Sequence, residues 1–185
     1  MILIFCAPSG SGKSTFVKHL LTCYNNFELS VSATSRPPRG TEQHGVEYYF
    51  LSAAEFRQLI ADDKLIEYQE VYKDYFYGTL RSEIDRIQQN GHHVVFDVDV
   101  KGGLNLKKIF GGNALSVFIQ PPSIEELRHR LEGRGTDSED MIRQRLAKAS
   151  VELQDAPFFD HIIVNDDLNT ALAQLDELLK QYHLI

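Results

Sequence analysis

Ile2-Leu3-Ile4-Phe5-Cys6-Ala7-Pro8-Ser9-Gly10-Ser11-Gly12-Lys13-Ser14-Thr15 joins an apolar run to a glycine-rich turn that ends in Lys-Ser. The first five residues read as a buried strand, since a run this apolar suits a sheet covered on both faces. From Lys13 the period changes, and Phe16, Val17, Leu20, Leu21 and Tyr24 fall on one helical stripe. A glycine-rich turn between a strand and a helix is the setting in which a phosphate-binding loop forms. Gly10 and Gly12 let the backbone curl so that successive N–H groups face one point, and the helix N-terminus adds positive potential there. Lys13 then reaches the β and γ oxygens of a nucleoside triphosphate, the Ser14 hydroxyl ligates Mg2+, and Thr15 adds a phosphate contact. Ala7 stands where the strict pattern has glycine, which is tolerated if φ is negative and no phosphate packs on its Cβ.

Outward from this motif, Glu28 to Ala33, Val94 to Val98, Leu115 to Ile119 and His161 to Asn165 also read as strands, with helical patterns between and after them. The alternation predicts an α/β fold: a P-loop-type parallel β-sheet core flanked by helices. Asp97, at the end of an apolar run, is the acidic partner for a metal near the loop. Asp99-Val100-Lys101-Gly102 matches the Asp-x-x-Gly of GTPases, but the chain has no Asn-Lys-x-Asp to read guanine in their manner.

Two stretches interrupt the alternation, about 32–81 and about 124–153, and read as inserted subdomains. Ser52 with Glu55, and Ser123 with Glu126, form capping-box patterns that predict short helices inside them. Leu168, Leu172, Leu175, Leu178 and Leu179 share one face of a closing amphipathic helix.

A chain of 185 residues is sized for one domain with a full core. Its net charge of -7 argues against a general nucleic-acid binder, which needs a basic face to replace counterions. Cys6 and Cys23 are the only cysteines and form no Cys-x-x-Cys, so neither a disulfide framework nor a zinc ribbon is expected. No run approaches the roughly 18 apolar residues of a membrane span, and the apolar start lacks a basic leader. A cytoplasmic protein with no membrane partner is expected.

Seven ordered motifs carry a resemblance to a known family. They are the phosphate loop with Ser30-Val31-Ser32-Ala33-Thr34-Ser35-Arg36-Pro37-Pro38-Arg39, then Gly45-Val46-Glu47-Tyr48-Tyr49-Phe50, Tyr77-Gly78-Thr79, Asp97-Val98-Asp99, Arg134-Gly135-Thr136-Asp137 and Val164-Asn165-Asp166-Asp167. Over nearly its whole length the chain resembles the guanylate kinases. The resemblance implies a core of about 1–31, 82–123 and 154–185, a GMP-binding insertion of about 32–81 and a helical lid of about 124–153. It implies ATP and GMP as substrates, Mg2+ with ATP, and phosphorylation of GMP, with dGMP, in purine nucleotide metabolism.

In that register Arg36 and Arg39 grip the GMP phosphate with Tyr48 and Tyr77. Glu67 reads guanine N1–H and the 2-amino group, Ser32 and Thr79 donate to O6, Gly78 belongs to the same GMP-binding set, and Asp99 contacts the base or ribose. Adenine has an acceptor at N1 and no 2-amino group, so a buried Glu67 would reject it. Residues Ala7, Pro8, Ser9, Gly10, Ser11, Gly12, Lys13, Ser14 and Thr15 hold ATP, Arg130, Arg134 and Arg145 close over it, and Asn165 contacts adenine. Lys13, Arg36, Arg39, Arg134 and Arg145 are the catalytic set.

The stretch between Glu67 and Tyr77 is one residue longer than the family pattern, which leaves Phe76 and Tyr75 as alternatives to Tyr77. Lys101 stands where Gln is more usual. A non-catalytic scaffold of the same fold would lack a working phosphate loop, which Gly10, Gly12, Lys13 and Ser14 supply here. A sugar-phosphate kinase would have little use for Glu67 or Thr79.

Overall fold

β1 (Ile2–Cys6) is buried along its whole length, with Leu3, Ile4, Phe5 and Cys6 fully shielded from solvent. Burying a side chain of the Leu, Ile or Phe type is worth about 1.5–3 kcal/mol, so this strand anchors the core. The computed structural model describes residues 1–133, 135 and 137–185.

After β1 come α1 (Lys13–Cys23), β2 (Phe27–Leu29), β3 (Ala33–Thr34), β4 (Tyr49–Phe50), α2 (Ala53–Ala61), β5 (Leu65–Tyr72) and β6 (Tyr75–Leu80). Then follow α3 (Arg81–Gln89), β7 (His93–Val98), α4 (Val100–Phe110), β8 (Ala114–Gln120), α5 (Ile124–Gly133), α6 (Glu139–Glu152), β9 (His161–Val164) and α7 (Leu168–Gln181). The chain divides into two compact units, Met1–Phe27 with Val95–Ile185, and Glu28–Val94.

In the main sheet the strand order is β2-β7-β1-β8-β9. β1 pairs in parallel with β8, Ile2 opposite Ala114, and β8 in parallel with β9, Val117 opposite His161. β1 lies between β7 and β8, and the contact of Lys13 with Asp97 brings the turn after β1 and the end of β7 to the same place in the sheet. Ligands of open α/β sheets bind at the carboxyl ends of strands where the chain order switches. In the same unit α5 and α6 share an apolar cluster of Leu127, Leu131, Ile142, Leu146 and Ala149. The Ser138 hydroxyl starts α6 by accepting from the Met141 N–H at 3.3 Å.

The unit Glu28–Val94 holds a second sheet, ordered β4-β3-β6-β5, that the sequence reading did not expect. Its core is Ala33, Phe56, Leu65 and Phe76, with the Phe56 and Phe76 rings stacked at 5.3 Å. The single strand expected over Glu28 to Ala33 is broken between Leu29 and Ala33, where the Val31 N–H donates to Glu83 Oε1 at 3.1 Å instead of to a ladder. At Ser52 the capping box closes in both directions. At Ser123 half of it forms: the hydroxyl accepts from the Glu126 N–H at 3.0 Å, while the Glu126 carboxylate pairs with Arg130. No helix among the described residues is long and apolar enough to cross a membrane.

Candidate active site

The phosphate loop takes the conformation its glycines permit. Gly10 and Gly12 have φ of +99° and +97°, a region that disfavours residues with a Cβ. At Gly12 the constraint is double, because a Cβ there would stand 2.4 Å from Asn165 Nδ2. Asn165 is itself buried, and its side-chain N–H donates to the Ser11 carbonyl at 2.8 Å. In this structure Asn165 is thus a strut under the loop, a contact that the expected adenine role did not include.

Ala7, Pro8, Ser9, Gly10, Gly12, Lys13, Ser14 and Thr15 line a cleft of about 380 Å3 together with Asp97, Asp99, Lys148 and Glu152. Lys13 Nζ lies 2.7 Å from Asp97 Oδ1 and donates to the Val98 carbonyl. Asp99 caps α4, its carboxylate accepting from the Gly102 N–H at 2.8 Å. A larger groove of about 450 Å3 runs between β9 and α7, but its lining, with Ile162, Ile163, Ala173 and Leu178, offers no arginine or lysine to a phosphate.

The segment over 124–153 meets this loop directly. Gly10 packs against Leu127 and Leu131, where an added Cβ would come within 2.9 and 3.0 Å. Arg145 reaches from α6 to the Ser9 hydroxyl at 2.6 Å and to Asp137 Oδ1 at 3.2 Å. Arg130 turns instead to Glu126 on its own helix, at 2.8 Å. Arg134 lies outside the described residues. Lys148 and Glu152, paired at 3.2 Å, were missed by the sequence reading. Their signal was available: Arg145, Lys148 and Glu152 follow one another at i, i+3 and i+7, a single helix face.

Among the described residues no three His, Cys, Asp or Glu side chains gather as a metal cage. Ser14 and Asp97, both in the cleft, offer oxygen donors. That set fits Mg2+, which is held by one or two carboxylates or hydroxyls together with substrate phosphates and water.

The unit Glu28–Val94 carries a second cluster. Arg36 is 6% exposed, and its guanidinium lies 5.1 Å above the Tyr48 ring and 5.7 Å above that of Phe50. The Tyr48 and Tyr77 rings meet edge to face at 6.0 Å. Burial pushes the Tyr48 phenol up, partly offset by the Arg36 charge. Hydrogen bonds to Glu42 and Tyr77 hold Arg36 in its charged form. Arg39 is exposed on the same loop.

Of the alternatives to Tyr77, Phe76 points into the core at 5% exposure and Tyr75 is 43% exposed near the hairpin end, whereas the Tyr77 ring meets Tyr48. A register shift in β5 between Glu70 and Tyr72 absorbs the longer stretch. Glu67 faces Thr79 across β5 and β6, and the Thr79 hydroxyl donates to Glu67 Oε1 at 2.8 Å. Thr79, expected to donate outward, spends its proton on the carboxylate. Gly78 is needed because a Cβ would sit 2.6 Å from the Glu67 carbonyl. Ser32 is half-buried, and its carbonyl accepts from the Tyr49 N–H at 2.9 Å.

The guanylate kinase family model matches residues 1–182. A guanylate kinase of Bacteroides thetaiotaomicron is 56% identical over 181 residues, 98% of this chain and 89% of that one. One from Porphyromonas gingivalis is 52% identical over 182 residues, 98% and 97% of the two chains. The crystal structure of guanylate kinase from Anaplasma phagocytophilum superposes with a TM-score of 0.72 at 28% identity, covering 100% of this chain and 87% of that one.

Proposed function

This chain belongs to the guanylate kinase family, and from that premise we propose how its residues divide the work of the reaction. The chain is an enzyme that moves the terminal phosphoryl group of ATP onto GMP, giving ADP and GDP. The loop Ala7–Thr15 and Lys13 hold the ATP phosphates, and Arg145, already over Ser9, stabilises the charge that spreads over the transferred group. Arg134 and Arg130 are proposed as further lid cations, on the family resemblance alone.

Arg36 and Arg39, with Tyr48 and Tyr77, hold the GMP phosphate. Its attacking oxygen is ionised near neutrality, because the second pKa of a phosphate monoester is about 6. No protein base is required, and the residues act by positioning and charge neutralisation. Ser14 and Asp97 would hold Mg2+, which when bound supplies further neutralisation of the phosphate oxygens. Asp99 serves the acceptor's base or ribose, and Asn165 serves ATP, by supporting the loop and by its place near the adenine.

The single observation that carries the guanine reading is the hydrogen bond from Thr79 to Glu67. It fixes one carboxylate oxygen and with it the orientation of the carboxylate proposed to meet a donor pair, which guanine has and adenine lacks. Ser32 donates to O6. We assign the GMP-binding insertion to about 32–81 and the ATP-covering lid to about 124–153. We also place the enzyme in the cytoplasm, in purine nucleotide recycling, with dGMP as a second acceptor.

The test is an acceptor panel at saturating Mg-ATP: GMP, dGMP, AMP and ribose 5-phosphate. GMP should turn over fastest, with dGMP accepted and AMP nearly inert. Comparable rates for AMP and GMP would refute the base assignment.

A further inference from the structure

We infer that Glu42 is a positioning residue for GMP: it fixes which edge of the Arg36 guanidinium faces the acceptor phosphate. The inference deepens the acceptor-site reading above and rests on it.

Glu42 sits in the loop between β3 and β4, in a stretch whose residue types read as solvent-facing. Its two oxygens take both Nη atoms of Arg36, Oε2 from Nη1 at 2.7 Å and Oε1 from Nη2 at 2.7 Å. Arg36 Nη1 also donates to the Pro37 carbonyl at 2.9 Å. A bidentate fork of this kind has one geometry, unlike the point contact a lysine would make. With both Nη atoms directed at Glu42, the guanidinium can turn toward a phosphate oxygen only the N–H groups that the fork does not use, and Tyr77, its other hydrogen-bond partner, is itself proposed for that phosphate. The stacking of Arg36 against Tyr48 and Phe50 fixes the plane, and the fork fixes rotation within it.

The same carboxylate closes the loop. Oε2 accepts from the Arg39 N–H at 2.8 Å, while the Glu42 N–H donates to the Arg39 carbonyl at 3.1 Å. One side chain thus sets the orientation of Arg36 and the turn from which Arg39 projects, so both phosphate-gripping arginines are referred to Glu42.

A carboxylate on a phosphate-binding arginine admits an opposite reading, in which Glu42 imitates the phosphate and must leave before GMP binds. Two observations favour positioning. Arg36 is 6% exposed, so its charge needs a partner whether or not GMP is present. Glu42 also cannot leave without undoing its bond to the Arg39 N–H. The two readings differ in sign: losing a support raises KM for GMP, and losing a competitor lowers it.

The experiment compares wild type with Glu42→Gln, Glu42→Asp and Glu42→Ala in steady-state kinetics, with thermal unfolding of each variant. Gln keeps the shape but turns a donor toward one Nη atom. KM for GMP should rise on the order of tenfold or more in Glu42→Gln, the size expected for losing a hydrogen bond to a charged group. KM for ATP should change less than about twofold, and Glu42→Asp, which keeps the charge, should recover part of the loss.

Guanosine, tested as an inhibitor competitive with GMP, separates phosphate positioning from general damage. Its inhibition constant should stay the same, because it has no phosphate for Arg36 to grip. An unchanged or lowered KM for GMP, or an equal loss for guanosine and GMP, overturns the inference. If wild type itself fails to phosphorylate GMP, the acceptor-site reading falls instead.

Discussion

Lys13 Nζ stands 2.7 Å from Asp97 Oδ1, so the cation proposed for ATP and the carboxylate proposed for Mg2+ form an ion pair. The pair comes from the two strands that flank the opening of the main sheet, Lys13 from the turn after β1 and Asp97 from the end of β7. Nucleotide phosphates must compete with Asp97 for the ammonium, and that competition lets charge enter the cleft without leaving either group unpaired beforehand.

Lys13→Ala should therefore separate catalysis from folding. Loss of the transition-state contact should lower kcat by on the order of 10² to 10³. The side chains of Lys13 and Asp97 are 20% and 28% exposed, so breaking their pair should cost about 1 kcal/mol or less, a few degrees of melting temperature in a chain of this size. Coupled-assay turnover with parallel thermal unfolding checks both halves. Turnover near wild type would remove Lys13 from the mechanism.

Glu67→Ala should narrow the preference for GMP over AMP by at least about tenfold, while KM for ATP stays within about twofold. In the proposed reading, removing the carboxylate takes away the partner of guanine N1–H and with it the penalty on adenine. Thr79→Val, which keeps the volume and deletes the hydroxyl that donates to Glu67 at 2.8 Å, should give a smaller loss in the same direction. Equal GMP preference in Glu67→Ala would mean that the base is read elsewhere.

The phosphate loop was legible because its information is local. Gly10, Gly12, Lys13 and Ser14 are consecutive in effect, and a strand before them with a helix after them suffices to fix their geometry. The second sheet was not, since β3 and β4 are two residues each and the outer strand β5 exposes Tyr68, Val71 and Tyr72, which blurs its alternation. Lys148 and Glu152 join the cleft only because α6 packs on α5, a tertiary fact. Glu42 was hidden for a third reason: a carboxylate among Thr, Gln and His reads as a surface group until its bidentate partner is seen. Thr79 shows the same limit, since the family register named the residue but not that its proton goes to Glu67.

Asn165→Ala should loosen the loop from below. The Ser11 carbonyl would lose a buried donor, a change worth about 1–3 kcal/mol, visible as a lower urea midpoint with an unchanged slope. KM for ATP should rise and KM for GMP should not. Gly12→Ala should be worse than Asn165→Ala, because it meets both the positive φ and Asn165 Nδ2. Relief of the Gly12→Ala defect by adding Asn165→Ala would be partial, since the backbone strain remains. A fully restored double variant would show that the clash alone mattered.

The two cysteines should react in strict order. Cys23 is exposed at the end of α1, whereas Cys6 is fully buried in β1, with Gly103 packed so close that a Cβ there would overlap its sulfur. Burial pushes the Cys6 thiol up to about 12, and nearby Asp99 and Asp97 add to that shift against the pull of Lys13. At pH 8 its thiolate is then on the order of one part in ten thousand, and the thiolate is the reactive form. Native protein should consume one equivalent of Ellman's reagent promptly, and protein in guanidinium two. The raised value also sets a pH trend: the neutral thiol's contribution to stability is intact below the ordinary thiol range near 9 and is lost as pH climbs from there toward 12. Any slow labelling of Cys6 in the native state should track global unfolding, because β1 is the innermost strand of the main sheet. ATP should slow that labelling by stabilising the native state through the loop that β1 feeds. Two prompt equivalents from native protein would show that β1 opens far more readily than its burial implies.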